Sequence, residues 1–96
     1  PHVIRFNIPA AGALYADLAH EANLLNGDSG AAGKALARRM TFLMQRAGLP
    51  TRLRDLGVSP GIFSLLADEA GQQWTGKFNP RPLADADFIA LYEAAY

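Results

Sequence analysis

The chain has 96 residues, the length of one small domain, which excludes a two-domain enzyme. Half of the residues are apolar, a globular fraction, and nine Lys and Arg balance nine Asp and Glu. That neutrality speaks against a dedicated nucleic-acid or anionic-membrane binder, and the absence of cysteine excludes disulfides, thiolate zinc sites and a catalytic thiol. No apolar run reaches the ~18 residues of a membrane span, and no secretory leader is visible. A cytoplasmic protein is therefore expected. Eighteen alanines and few consecutive β-branched residues favour helix nearly throughout.

Pro1 to Asn7 opens directly on Val3, Ile4 and Phe6 with no Ser, Thr, Asp or Asn ahead of them. It reads as the end of an element begun elsewhere. After Pro9, the residues Ala11, Leu14, Leu18, Ala22 and Leu25 recur at steps of three or four, which predicts an amphipathic helix stopped by Asn26-Gly27. Asp28 or Ser29 is suited to cap a second helix whose buried stripe is Ala32, Leu36, Met40, Leu43 and Ala47. Gly48 followed by Pro50 ends it. Thr51 to Leu56 predicts one helical turn closed by Gly57. Ser59-Pro60 starts a third helix, with Ile62 or Phe63, Leu66 and Ala70 inward. Gly71 to Pro82 is expected to be irregular, and Asp85 to Tyr96 forms a terminal helix burying Phe88, Leu91, Tyr92 and Ala95. The fold class is all-α: a small bundle of four main helices plus short turns, a fragment of a larger helical domain.

Candidates for chemistry are few. Asp17, His20 and Glu21 share one side of a helix, but a helical metal site needs a matching motif on a second helix, so a solvated face is the simpler reading. His2 is either half of a ligand set completed elsewhere or a histidine at the edge of a core. There is no Gly-rich phosphate loop and no Ser-His-carboxylate spacing. Arg38-Arg39 and Arg52/Arg54 are the local basic densities, read as ordinary surface pairing. The stretch Trp74 to Pro82 combines two aromatics, two cations and two prolines. Either Trp74 and Phe78 wall a cleft with Lys77 or Arg81 near a polar substrate group, or the aromatics plug the bundle and Arg81 bonds helix-end carbonyls.

Three segments, Gly48-Leu49-Pro50-Thr51-Arg52-Leu53-Arg54-Asp55-Leu56-Gly57-Val58, Asn79-Pro80-Arg81-Pro82 and Leu91-Tyr92-Glu93-Ala94-Ala95-Tyr96, resemble in order and spacing the C-terminal end of iron-containing (group III) alcohol dehydrogenases. Pro1-His2-Val3-Ile4-Arg5-Phe6-Asn7 is similar to a helix of the same family's C-terminal domain, so the resemblance covers residues 1–96 as a single helical subdomain. It implies a parent enzyme with an α/β domain for NAD or NADP and a divalent metal, iron or zinc, in the cleft beside the helical domain. The family's metal ligands, an aspartate and three histidines, would all lie before Pro1. The family's ligand in a Pro-His-Gly motif has no counterpart at His2, which Val3 follows.

No catalytic, cofactor-binding or metal-binding residue is thus assigned within the chain. The resemblance raises Trp74 and Phe78 as residues of the substrate-pocket wall. The implied partners are the nucleotide-binding domain and metal-bearing helices of the parent, with no nucleic acid and no membrane. Two departures are visible: Ser59-Pro60-Gly61 where the family has Ser followed by acidic residues, and Ala84 where the terminal helix commonly begins with Thr. The alternative function is a free-standing helical interaction module without catalytic activity.

Overall fold

A computed structural model describes residues 1–24 and 29–96. Among them are four α-helices and no strand: α1 (His2–Glu21), α2 (Ser29–Arg46), α3 (Phe63–Gln72) and α4 (Asp85–Ala95). Three short 3-10 turns, Leu53–Leu56, Pro60–Ile62 and Trp74–Phe78, join the later helices. The all-α class expected from the alanine-rich sequence holds. The chain divides into two compact units, Pro1–Leu49 and Pro50–Tyr96.

In the first unit α1 packs on α2 through small side chains. Ala11, Gly12 and Ala19 are buried on α1, and Ala32, Gly33, Ala35 and Ala37 on α2. Gly33 makes the approach close: a Cβ there would lie 2.5 Å from Ile8 Cγ1 and 3.3 Å from Tyr15 Cδ2. This changes the expected stripes. Leu14 and Leu18 are 65% and 57% exposed, and Met40, Leu43 and Ala47 are exposed as well. An interface built on alanine and glycine admits backbones that larger side chains would hold apart, so the leucines stand on other faces.

The helix does not wait for Pro9 but runs through it from His2, without a side-chain cap. A mid-helix proline removes one backbone bond at a cost of about 3 kcal/mol. Packing on both sides of it, by Ile8 against Gly33 and by buried Ala11, holds the run together. The stop also comes earlier than the sequence suggests. Ala22 ends α1, Asn23 takes φ 52°, and the Leu24 N–H bonds back to the Ala19 carbonyl. Asparagine tolerates this left-handed conformation better than most residues. The expected contributions of Leu25, Asn26-Gly27 and Asp28 lie outside the described residues. Ser29 is the first helical residue of α2. At the other end of α2, Gly48 has φ 69° and the Leu49 N–H reaches the Met44 carbonyl, the glycine-terminated stop read from the sequence.

In the second unit the turn Leu53–Leu56 closes at Gly57, φ 75°, as expected. Ser59 Oγ accepts from the Gly61 N–H at 3.3 Å, and Pro60 leads through one 3-10 turn into α3. Phe63 and Ala67 are buried, whereas Ile62 is exposed, which decides between the two starting residues. The Phe63 ring meets Tyr92 at 6.0 Å and Tyr96 edge-on at 5.8 Å, so one buried aromatic joins α3 to α4. Its burial contributes about 1.5–3 kcal/mol. The four inward residues expected on α4, Phe88, Leu91, Tyr92 and Ala95, are each half-buried. Gly71 to Pro82 is more regular than expected. α3 continues through Gln72, and Trp74–Phe78 is helical, because 3-10 bonding needs only an i to i+3 repeat and tolerates Gly76.

Candidate functional site

The segment between α3 and α4 carries the residues singled out by the sequence. Gln73 is extended, Trp74–Phe78 coils, and Asn79 turns the chain back to extended. The pitch of the coil brings the Trp74 and Phe78 rings edge to face, with centroids 5.7 Å apart and planes at 86°. Such a pairing contributes about 0.5–1.5 kcal/mol beyond area burial. Both rings are nonetheless 68% and 75% exposed, so they do not plug the unit. Large aromatics left in water together are the kind of surface that marks an interaction or ligand site.

Arg81 and Lys77 separate in role. Arg81 Nη2 stands 3.9 Å from Asp87 Oδ1 on the first turn of α4, and both side chains are partly covered. Lys77 is exposed. An open groove of about 300 Å³ runs beside the coil, with Gln73, Lys77, Asn79, Asp85 and Phe88 in its wall. The two aromatic rings are not among the residues lining it.

Asp87 is the residue that sequence reading missed. Its Oδ2 accepts the Ala84 N–H at 2.9 Å while its other oxygen faces Arg81. Ala84 has no side-chain acceptor to return the bond, so only one half of a capping box forms. The visible signal was an acidic residue three positions after the N-cap Ala84, following Asn-Pro-Arg-Pro.

The histidines do not come together. His20 Nδ1 lies 3.8 Å from Glu21 Oε1 on an exposed face of α1, and His2 begins the same helix. Burial first, and then nearby positive charge that includes Arg5, holds His2 below the usual imidazole range. Among the described residues no three His, Cys, Asp or Glu side chains gather to hold a metal, and no strand and glycine-rich turn precede a helix to hold a dinucleotide. The described residues therefore do not fit either group, and no catalytic step is assigned to them. Nor is any helix among them long and apolar enough to cross a membrane.

The family model for the C-terminal part of the Fe-containing alcohol dehydrogenases matches residues 1–96. The chain is 34% identical to a 1,3-propanediol dehydrogenase of Klebsiella pneumoniae over 103 residues, and 32% identical to a lactaldehyde reductase of Escherichia coli K12 over 98 residues. Both alignments take in all of this chain but only 25% and 26% of the relative, so the chain spans about a quarter of their length. No solved structure is a significant match.

Proposed function

Because the chain belongs to the Fe-containing alcohol dehydrogenase family, matching its C-terminal part along residues 1–96, we propose that it is the C-terminal helical subdomain of a metal-dependent, NAD(P)-linked alcohol dehydrogenase. The parent interconverts an alcohol and an aldehyde or ketone in the cytoplasm. The names of the two relatives, one for a diol and one for an aldehyde, support that pair of functional groups. Metal, iron or zinc, and NAD or NADP are bound by the nucleotide domain and the metal-bearing helices outside this segment. Alone, the 96 residues neither bind them nor catalyse the reaction.

The part played by this segment is to back the rest of the helical domain and close one side of the cleft, with Trp74 and Phe78 as apolar wall. The observation that carries this is the exposure of the paired rings. Val3, Leu14 and Leu18 fall on one stripe of α1 and are also exposed, which favours a covered surface in a larger enzyme over a self-contained interaction module.

The test begins with the native size of the protein, detected in its source with an antibody to this segment. A band roughly four times larger than the chain agrees with the quarter-length coverage, and a band at the size of the chain overturns the reading. In the full-length protein Trp74→Ala is expected to change the preference among alcohols more than the affinity for nucleotide. An unchanged preference removes Trp74 from the pocket wall.

A further inference from the structure

Between the aromatic coil and α4 lies a short, stiff connection. Pro80 and Pro82 each lock one backbone angle, and the residues before them, Asn79 and Arg81, are driven to extended conformations. Asn79 has φ −65° and ψ 132° in accord with this. Its side chain donates to the Arg81 carbonyl at 2.5 Å, and its N–H bonds back to Gly76 at 3.2 Å. The segment from Phe78 to Pro82 is therefore a stiff rod bent at Asn79, Pro80 and Arg81, and where the rod is pinned decides where the rings stand. One pin on its far side is Arg81 against Asp87, and Asp87 accepts the Ala84 N–H at the start of α4.

We propose that Asp87 is a positioning residue for substrate selection: through Arg81 and the Asn79-Pro80-Arg81-Pro82 rod it sets the placement of Phe78 and Trp74. The proposal rests on the reading of these rings as pocket wall, and it assigns Asp87 no contact with substrate. A 3.9 Å pair between partly exposed groups is weak by itself. Its leverage comes from the rod, whose few free dihedrals leave little else to absorb a displacement. Asp87 thus has two separable duties, capping α4 and holding Arg81, and side-chain chemistry separates them. Glutamate at this position keeps both the capping bond and the charge. Glutamine keeps the capping bond, since it is equally suited to the third helical position, but loses the charge that holds Arg81.

The experiment compares Asp87→Gln, Asp87→Glu, Arg81→Gln and Trp74→Ala in the full-length protein. Three quantities are read: thermal unfolding, the rate of tryptic cleavage after Lys77 within the coil, and kcat/KM for short against long primary alcohols. Expected for Asp87→Gln and Arg81→Gln is a several-fold faster cleavage after Lys77 and a several-fold change in alcohol preference in the direction of Trp74→Ala. Asp87→Gln keeps the unfolding temperature of Asp87→Glu, and Asp87→Glu behaves as wild type in all three. If Asp87→Gln and Asp87→Glu cleave and discriminate alike, Asp87 is only a helix cap and the proposal is overturned, whatever Trp74→Ala does. If Trp74→Ala leaves the preference unchanged, the pocket-wall reading fails, and selection through Asp87 fails with it, even where the cleavage rates divide as expected. Should Asp87→Gln not fold, Arg81→Gln carries the same comparison, since it breaks the same pair and leaves the Asp87 carboxylate that accepts the Ala84 N–H in place.

Discussion

The Arg54 guanidinium lies over the Tyr96 ring, 4.9 Å from its centroid, and its Nε donates to the Tyr96 carbonyl, 42 residues on in the sequence. Tyr96 in turn meets Phe63 edge-on. One cation thereby ties the turn Leu53–Leu56 to the end of α4 and supports the aromatic core of its unit. A cation over an exposed ring contributes about 0.5–1 kcal/mol, and a charged hydrogen bond in water somewhat more. Arg54→Ala is expected to destabilise the fold by about 1–2 kcal/mol in urea denaturation. Arg54→Lys recovers less than half, because an ammonium cannot stack flat on the ring and reach the carbonyl together. Equal stability of all three proteins refutes this account of the contact.

Two glycines are required for opposite reasons. Gly57 has φ 75° with open space where a Cβ would go, so Gly57→Ala meets only backbone strain, about 1 kcal/mol. Gly33 has ordinary backbone but no room, because Ile8 fills the place of a Cβ. Gly33→Ala gains about 1 kcal/mol of helix propensity and loses about 1–3 to overpacking, so a net loss is expected. The loss should shrink or reverse in an Ile8→Ala background, where of these contacts only that of Tyr15 Cδ2 at 3.3 Å remains. Thermal unfolding of the four proteins of that cycle, with Gly57→Ala alongside, reads both effects. Additivity of Gly33→Ala and Ile8→Ala rules out the steric explanation.

That steric detail also explains what could be read from the sequence. Helix stops were legible because Gly48 and Gly57 need a conformation few other residues adopt, and the terminal helix because nothing within it breaks the repeat. The exposure of Leu14 and Leu18 was not legible. Periodicity identifies an apolar stripe but not which stripe a neighbour covers, and the α1 and α2 contact is made by the alanines and Gly33 instead. At the candidate site, Trp74 and Phe78 stood out by type. Their edge-to-face pairing depends on a 3-10 coil that Gly76 and the nearby prolines disguised as irregular. Asp87 escaped notice because Ala84 becomes its neighbour only in the first turn of α4, and Arg81 only through the bends that precede that turn.

The cap of α4 is incomplete and can be improved. Ala84 occupies the N-cap with extended backbone, φ −98° and ψ 166°, the geometry from which a hydroxyl would reach the Asp87 N–H. That N–H now bonds the Ala84 backbone carbonyl at 2.9 Å. Ala84→Ser supplies the missing half of the box, and a gain of about 1 kcal/mol is expected, seen as a higher urea midpoint with an unchanged slope. A fall in the midpoint means that the Ala84 backbone is not free to serve as a cap.

His2 gives the first unit a pH dependence with a definite sign. Its folded pKa lies below the ordinary imidazole value of about 6.5, through burial first and then nearby positive charge, Arg5 included. Below pH 6.5 the unfolded chain therefore binds the proton more readily than the folded one. Stability should be fully present above that pH, decline as pH falls through it, and level off once the folded imidazole is also protonated. In proton NMR titrations of the 96-residue chain, the His2 ring signals report the folded value directly. Arg5→Gln removes one of the charges acting on it and should raise the His2 value. It does not restore 6.5, since the burial that leads the shift is untouched. An Arg5→Gln chain in which His2 titrates at 6.5 would show that charge, and not desolvation, holds it down.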